Sequence, residues 1–209
     1  GEKISVINNG VNINAINQFK ANVKKDYEIP ADYFLYVSSF FPYKRFETVI
    51  KSYELLPEHL KDEFSLILVG TIQDKKYFDS LVKMVKNYKL QTKILFLPEV
   101  SKNYLFKLYK NADLFIFASS IENCPNILLE AMSSGCCVLC SSDEPMPEFG
   151  SNAVEYFDSS NAEDLSMKIS DLMQNKDKRE RLKNLALDRS KDFSWDNFTS
   201  NVIRLYGSR

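Results

Sequence analysis

Two glutamates bracket a short apolar run in SSIENCPNILLEAMSSG, residues 119–135: Glu122 just before it and Glu130 inside it, with seven residues between them. Such a pair is chemically useful when it flanks a helix start. Pro125 suits the first turn of a helix, where its missing N–H costs nothing. The N–H groups of Asn126 and Ile127 are then expected to be free, and with the helix dipole they favour an anion or a partly charged oxygen. Glu130 falls on roughly the face of Asn126 by the i, i+4 relation, while Glu122 lies in the loop beside the helix end. Two carboxylates that only accept hydrogen bonds, set around an anion-binding turn, suit a ligand with hydroxyl groups at both ends and phosphates between. A nucleotide sugar is such a ligand. The plain alternative is that Glu122 caps the helix and Glu130 pairs with a lysine.

The elements that must hold this motif alternate. Apolar runs at 33–37, 65–69, 93–97, 113–118, 137–140 and 153–157 show no polar alternation, so they read as strands covered on both faces, as in a parallel sheet. Helical patterns lie between them. In 75–89, Phe78, Leu81, Val82 and Val85 recur at helical spacing, with Lys76, Lys83 and Lys86 on the solvated side. Residues 161–174 repeat the pattern behind a cap at Asn161. The closing helix from Ser194 carries a stripe of Trp195, Phe198, Val202, Leu205 and Tyr206. Strand and helix in turn give an α/β, Rossmann-like doubly wound parallel sheet with C-terminal helices. In that fold ligands bind at the carboxyl ends of the strands. There the sequence places Lys44 and Arg45, Gly70, the 98–100 loop, the two-glutamate motif and the 141–150 loop with Glu148, a polar ligand site. At Gly70 the missing side chain is expected to let a ligand approach the backbone.

Bulk properties exclude several classes. With 209 residues and a net charge of −1, the chain is long enough for one domain with a real core, and nothing global points to nucleic acid. No apolar run approaches the ~18 residues a membrane span needs. Cys136, Cys137 and Cys140 sit in one strand-like run whose neighbours face opposite ways, poor geometry for a tetrahedral metal, so no metal site is expected and the cysteines read as small hydrophobes. His59, the single histidine, reads as a surface residue. With six glycines and no G-x-G-x-x-G after the first strand, a dinucleotide-dependent oxidoreductase is disfavoured, and no P-loop is present.

Over nearly the whole chain, FLYVSSFFPYKRFETVI, LILVG, KILFLPEV, LYKNADLFIFASSIEN, EAMSSG, MPEFG, VEYFDSSNAEDL and FSWDNF, in that order, resemble the donor-binding domain of family 4 ("group 1") glycosyltransferases of GT-B fold. The resemblance implies a retaining, metal-independent hexosyltransferase without cofactor, using a nucleotide-diphosphate sugar as donor. It implies that Glu122 contacts the transferred sugar near the reacting centre and that Lys44 neutralises the diphosphate. It gives Glu130 the ribose hydroxyls, Asn126 and Ile127 backbone N–H groups for sugar or phosphate, Gly70 the diphosphate border, and the Pro98–Val100 loop the base. Ser119 and Glu148 are second-tier candidates. By analogy, the enzyme works in the cytoplasm, at the inner face of a membrane through peripheral association, in surface-polysaccharide biosynthesis on a glycan or lipid-linked acceptor.

Two departures stand out. Where the family has Gly-Arg after the first strand, this chain has Ser38 and Ser39. Arg45 is the candidate replacement, although residues 44 and 45 are adjacent and adjacent residues at a helix start tend to diverge. The second departure is extent. Residues 1–30 read as a linker entering the domain, 31–192 as the nucleotide-sugar-binding domain, and 193–209 as a helix that crosses back toward an acceptor-binding N-terminal domain not in this sequence. The stripe on that helix is therefore expected to be less buried, and the chain alone to be inactive in transfer. The rival reading is a non-catalytic GT-B-like module that holds a nucleotide sugar or a partner.

Overall fold

The computed structural model describes residues 5–12 and 28–207; most of the expected entering linker therefore lies outside the described residues. Six strands form one parallel sheet: β1 (Tyr33–Val37), β2 (Ser65–Val69), β3 (Ile94–Leu97), β4 (Leu114–Phe117), β5 (Val138–Ser141) and β6 (Glu155–Phe157). Their order is β3-β2-β1-β4-β5-β6, with β1 paired to β2 on one side and to β4 on the other. The strand order reverses at β1: β2 and β3 are added on one side and β4 to β6 on the other, and that switch point opens a crevice at the carboxyl edge.

Period-2 geometry explains the near-continuous apolar strands. Tyr33, Leu35 and Val37 enter one hydrophobic layer while Phe34 and Tyr36 enter the other. The first layer packs α4 (Lys102–Asn111), α5 (Asn126–Ser133) and α6 (Met146–Gly150) on the sheet; the second packs α1 (Phe46–Glu54), α2 (Glu58–Glu63), α3 (Lys75–Asn87) and α7 (Ala162–Gln174). Helix α8 (Lys176–Ser190) reaches both, with Leu182 in one layer and Ala186 in the other. The cysteines follow the same geometry: Cys136 and Cys140 lie in the first layer, Cys137 in the second, all buried and free.

Local chemistry sets the helix starts. Asp74, Ser101, Asn161 and Asn175 each accept a backbone N–H at the N-terminus of α3, α4, α7 and α8. Within α3 the expected face is only partly buried: Leu81 and Val85 are in the core, whereas Val82 is exposed. His59 is exposed, on the short α2.

The described entering residues return to the C-terminal end. Val11 donates its N–H to the Phe193 carbonyl at 2.7 Å and bridges in parallel to Ser194. Asn8 donates to Glu148 at 3.2 Å. The closing helix α9 (Trp195–Gly207) has no buried residue, and Trp195, Leu205 and Tyr206 of its stripe are exposed. The expectation of an uncovered stripe agrees with this.

Candidate functional site

A cavity of about 320 Å³ opens at the carboxyl edge of β1, β2 and β3. Ser38 and Ser39 line it from the end of β1, Gly70 and Thr71 from β2, Glu99 and Val100 from the loop after β3, and Ile127 and Glu130 from α5. The sheet holds these loops together. Ser38 donates to the Val69 carbonyl at 3.0 Å, Phe40 to Thr71 at 2.9 Å, and Gly70 to Leu97 at 3.2 Å. The Ser39 and Thr71 hydroxyls lie 3.3 Å apart across the cavity floor. Five of the residues expected from sequence to bind donor, namely Ser39, Gly70, Val100, Ile127 and Glu130, therefore converge on one space, although they span three loops and a helix.

Lys44 and Glu122 meet each other at the ends of β1 and β4, and neither lines this cavity. Residues 42–44 form one turn of 3-10 helix, and the Lys44 carbonyl accepts the Tyr36 hydroxyl at 2.5 Å. Ser120, in the loop after β4, donates its N–H to the Tyr43 carbonyl at 2.9 Å and its hydroxyl to the same oxygen at 3.1 Å. These bonds join the loops of the two strands flanking the switch point, and they set the Lys44 ammonium 2.5 Å from a Glu122 carboxylate oxygen. Both side chains are mostly buried, and the ammonium also lies 4.8 Å from the Tyr43 ring centre. With three donors, an ammonium can hold Glu122 and still face an anion.

Several expectations at the helix start need correction. Pro125 is the residue before the helix rather than its first turn, since α5 begins at Asn126. The Asn126 N–H is not free: it donates to the Cys124 carbonyl at 2.9 Å in a tight turn. The Asn126 side-chain oxygen accepts the Cys124 thiol at 3.6 Å. Among the described residues the Ile127 N–H has no such backbone acceptor, so Ile127 remains the donor at this helix end. Glu122 does not cap the helix, which has no side-chain cap; its partner is Lys44. The alternative given to Glu130, pairing with a lysine, does occur, with Lys102 at 3.5 Å.

Burial raises the pKa of Glu130, and Lys102 pulls part of that rise back. The Tyr109 hydroxyl is buried close by, and burial together with the Glu130 charge pushes its pKa well up. Asn126 and Glu130 also line a smaller neighbouring cavity of about 160 Å³, with Asn9, Asn12, Lys102 and Trp195. The i, i+4 relation thus puts the two on one face, as expected.

Gly70 has a structural reason that sequence did not reveal. A Cβ there would stand 1.7 Å from the Ser38 carbonyl oxygen, so the neighbouring strand already requires glycine. Arg45 turns away from the cavity. It adopts a left-handed backbone conformation (φ 54°, ψ 35°), and its guanidinium lies 3.9 Å from Glu47. With the Ser160 hydrogen bonds as the main cause, Arg45 also helps hold Asp158 below its ordinary pKa, beyond β6. The two adjacent cations diverge: Lys44 goes to Glu122 and Arg45 to Glu47.

Ser119 is buried and donates to the Ile121 carbonyl at 3.0 Å; its own carbonyl accepts Ser141 at 2.6 Å. It shapes the Glu122 loop without lining the cavity. Glu148 is exposed, and its side chain accepts Asn8 of the entering segment. Sequence reasoning missed Lys102, the one cation among the described residues that lines the cavity shared by Ser39, Gly70 and Glu130. The available signal was its place directly after Ser101, a capping residue in the loop after β3.

The profile described as "Glycosyl transferases group 1" matches residues 18–189. O-antigen chain mannosyltransferase B of Escherichia coli is 30% identical over 174 residues, 83% of this chain and 45% of that protein. The crystal structure of a glycosyltransferase from Rickettsia africae ESF-5 has a TM-score of 0.87 at 21% identity, covering 99% of this chain and 57% of that one. Anabaena Alr3699/HepE in complex with UDP-glucose has a TM-score of 0.82 at 17% identity, covering 98% and 57%. The chain thus spans less than half the length of the Escherichia coli relative and a little over half of the two structures. At these identities the likeness to the two structures concerns the fold.

Proposed function

Because the chain belongs to the group 1 glycosyl transferase family, we propose that it is the donor-binding part of a retaining glycosyltransferase, moving a hexose from a nucleotide-diphosphate sugar to a glycan or lipid-linked acceptor in surface-polysaccharide biosynthesis. The observation that carries the reading is the cavity that Ser39, Gly70, Val100, Ile127 and Glu130 line together at the carboxyl edge of the sheet, on which the buried Lys44–Glu122 pair also stands, at the switch point. In this proposal Val100 and its loop meet the base, Glu130 accepts the ribose hydroxyls, and Ile127 donates to the sugar or phosphate. As the bond from the anomeric carbon to the phosphate oxygen breaks, negative charge grows on the leaving diphosphate and positive charge on the sugar ring. Lys44 answers the first and Glu122 the second. Preorganised charges of this kind are commonly the largest catalytic contribution, about 3–4 kcal/mol for one donor. No resident metal or cofactor enters the scheme.

An acceptor-binding domain outside these 209 residues completes the proposed enzyme, in line with the span of the relatives. Cytoplasmic action at a membrane face belongs to the same proposal; among the described residues no helix is long and apolar enough to cross a membrane. One observation favours a second reading, a binding module without catalysis: Lys44 and Glu122 neutralise each other, and Arg45 does not replace the absent arginine.

The first test is calorimetric titration of the chain with UDP, GDP, CDP and ADP beside Glu130→Ala. One nucleotide is expected to bind, with at least about a tenfold loss in the variant, since a hydrogen bond to a charged group is worth ~1.5–3 kcal/mol. Equal binding by the variant would remove Glu130 from the site.

A further inference from the structure

We propose that Lys102 supplies the second positive charge to the donor diphosphate, in the place of the arginine that Ser39 lacks; this rests on the donor-binding reading above. A nucleoside diphosphate brings a concentrated negative charge into a cavity already lined by two carboxyl groups, Glu99 and Glu130. Lys44 answers part of it but is bound to Glu122 at 2.5 Å. The serines at 38 and 39 and Thr71 offer hydroxyl dipoles without charge. Arg45 is directed at Glu47 and does not line the cavity. Among the described residues only Lys102 brings a cation to that wall.

Its position gives it reach. Lys102 is the first residue of α4, held there by the Ser101 cap, whose hydroxyl accepts the Tyr104 N–H at 3.3 Å. Its ammonium stands 3.5 Å from Glu130, and its side chain is 67% exposed. The lysine end of the pair is open to water, whereas Glu130 is only 17% exposed, so the ribose hydroxyls must take over as donors to that carboxylate when the lysine leaves it. When Glu130 takes up the ribose 2′ and 3′ hydroxyls, the α-phosphate lies one ribose ring away, on the side of Ser39 and Gly70. The long lysine stem swings across that distance, and the ammonium exchanges its contact with the largely buried Glu130 carboxylate for the phosphate oxygens. Lys102 is thus a binding residue for the leaving group, and its pairing with Glu130 is its resting position.

The test compares Lys102→Gln with the unaltered 209-residue chain by calorimetry. Each is titrated with the best-binding nucleoside diphosphate and with the corresponding nucleoside, and Ser39→Arg is then added to the variant. The expected result is a loss of about tenfold or more in diphosphate affinity, nucleoside affinity within about twofold, and recovery of diphosphate affinity in the Ser39→Arg, Lys102→Gln double variant. An equal loss for nucleoside and diphosphate would place Lys102 on ribose or base and overturn the proposal, as would no loss at all. If the unaltered chain binds none of these nucleotides, the donor-site reading itself fails and this proposal with it. The diphosphate-to-nucleoside ratio within one variant is insensitive to general loss of folded protein, and Lys102 is exposed enough that glutamine there leaves the core untouched.

Discussion

Glu130 is caught between two requirements. Burial favours its protonated form, whereas the proposed acceptance of two ribose hydroxyls would favour the ionised one. Its folded-state pKa is raised above the unfolded value, so the folded state holds the proton more tightly. The carboxylate therefore costs stability once pH rises through the window between the two values, and nothing below it. Glu130→Gln is accordingly expected to melt higher than the parent at neutral pH while binding nucleotide more weakly. Nucleotide affinity of the parent should fall on acidification at a higher pH than an ordinary glutamate would give, and the variant should lack that step. Calorimetry across pH with matched thermal melts checks both; a variant that melts lower at neutral pH would contradict the assigned cost. Sequence singled out Glu130 because its spacing from Glu122 was visible. It could not show Lys102 opposite, since the two are brought together only by the docking of α4 and α5 on the same face of the sheet.

At the scale of elements, the site depends on close contact between the ends of β1 and β2. Gly70 permits it: the Ser38 carbonyl oxygen occupies the space a Cβ would need, at 1.7 Å. Gly70→Ala must push the two strand ends apart, which by analogy with overpacked cores costs about 1–3 kcal/mol. Thermal denaturation of the ligand-free variant should show a midpoint lower by at least about 2–4 °C, the shift expected per kcal/mol in a chain of this size. An unchanged midpoint with lost nucleotide binding would instead return Gly70 to a purely ligand-directed role. The strands themselves were legible to within two residues, because fully buried strands leave unbroken apolar runs. The start of α5 was not, because the tight turn from Cys124 to Asn126 is set by the loop joining β4 to the helix rather than by proline preference.

For the whole molecule, the proposed division of labour has a direct consequence. If acceptor binding belongs to a domain outside these residues, the chain should bind its nucleotide yet transfer no sugar above background. Incubation with a radiolabelled donor sugar and lipid-linked acceptor, beside the nucleotide titration, checks this; clear transfer by the chain alone would refute the division. The open face of α9 fits that picture, with Trp195, Leu205 and Tyr206 uncovered. So does the return of residues 5–12 to the same end, where Val11 meets Phe193 and Ser194. The segment around Val11 and the start of α9 thus lie side by side.

Sequence alone determined the alternating architecture, the family resemblance and the cluster of polar residues at the strand ends, because these depend on periodicity and on motifs short enough to read along the chain. Tertiary structure decided which cation answers which carboxylate. Lys44 meets Glu122 across 78 positions of sequence, and Lys102 meets Glu130 from another loop. Arg45, beside Lys44 in sequence, is turned toward Glu47. Charge pairing acts over a few ångströms in space, and only the packed sheet sets those distances.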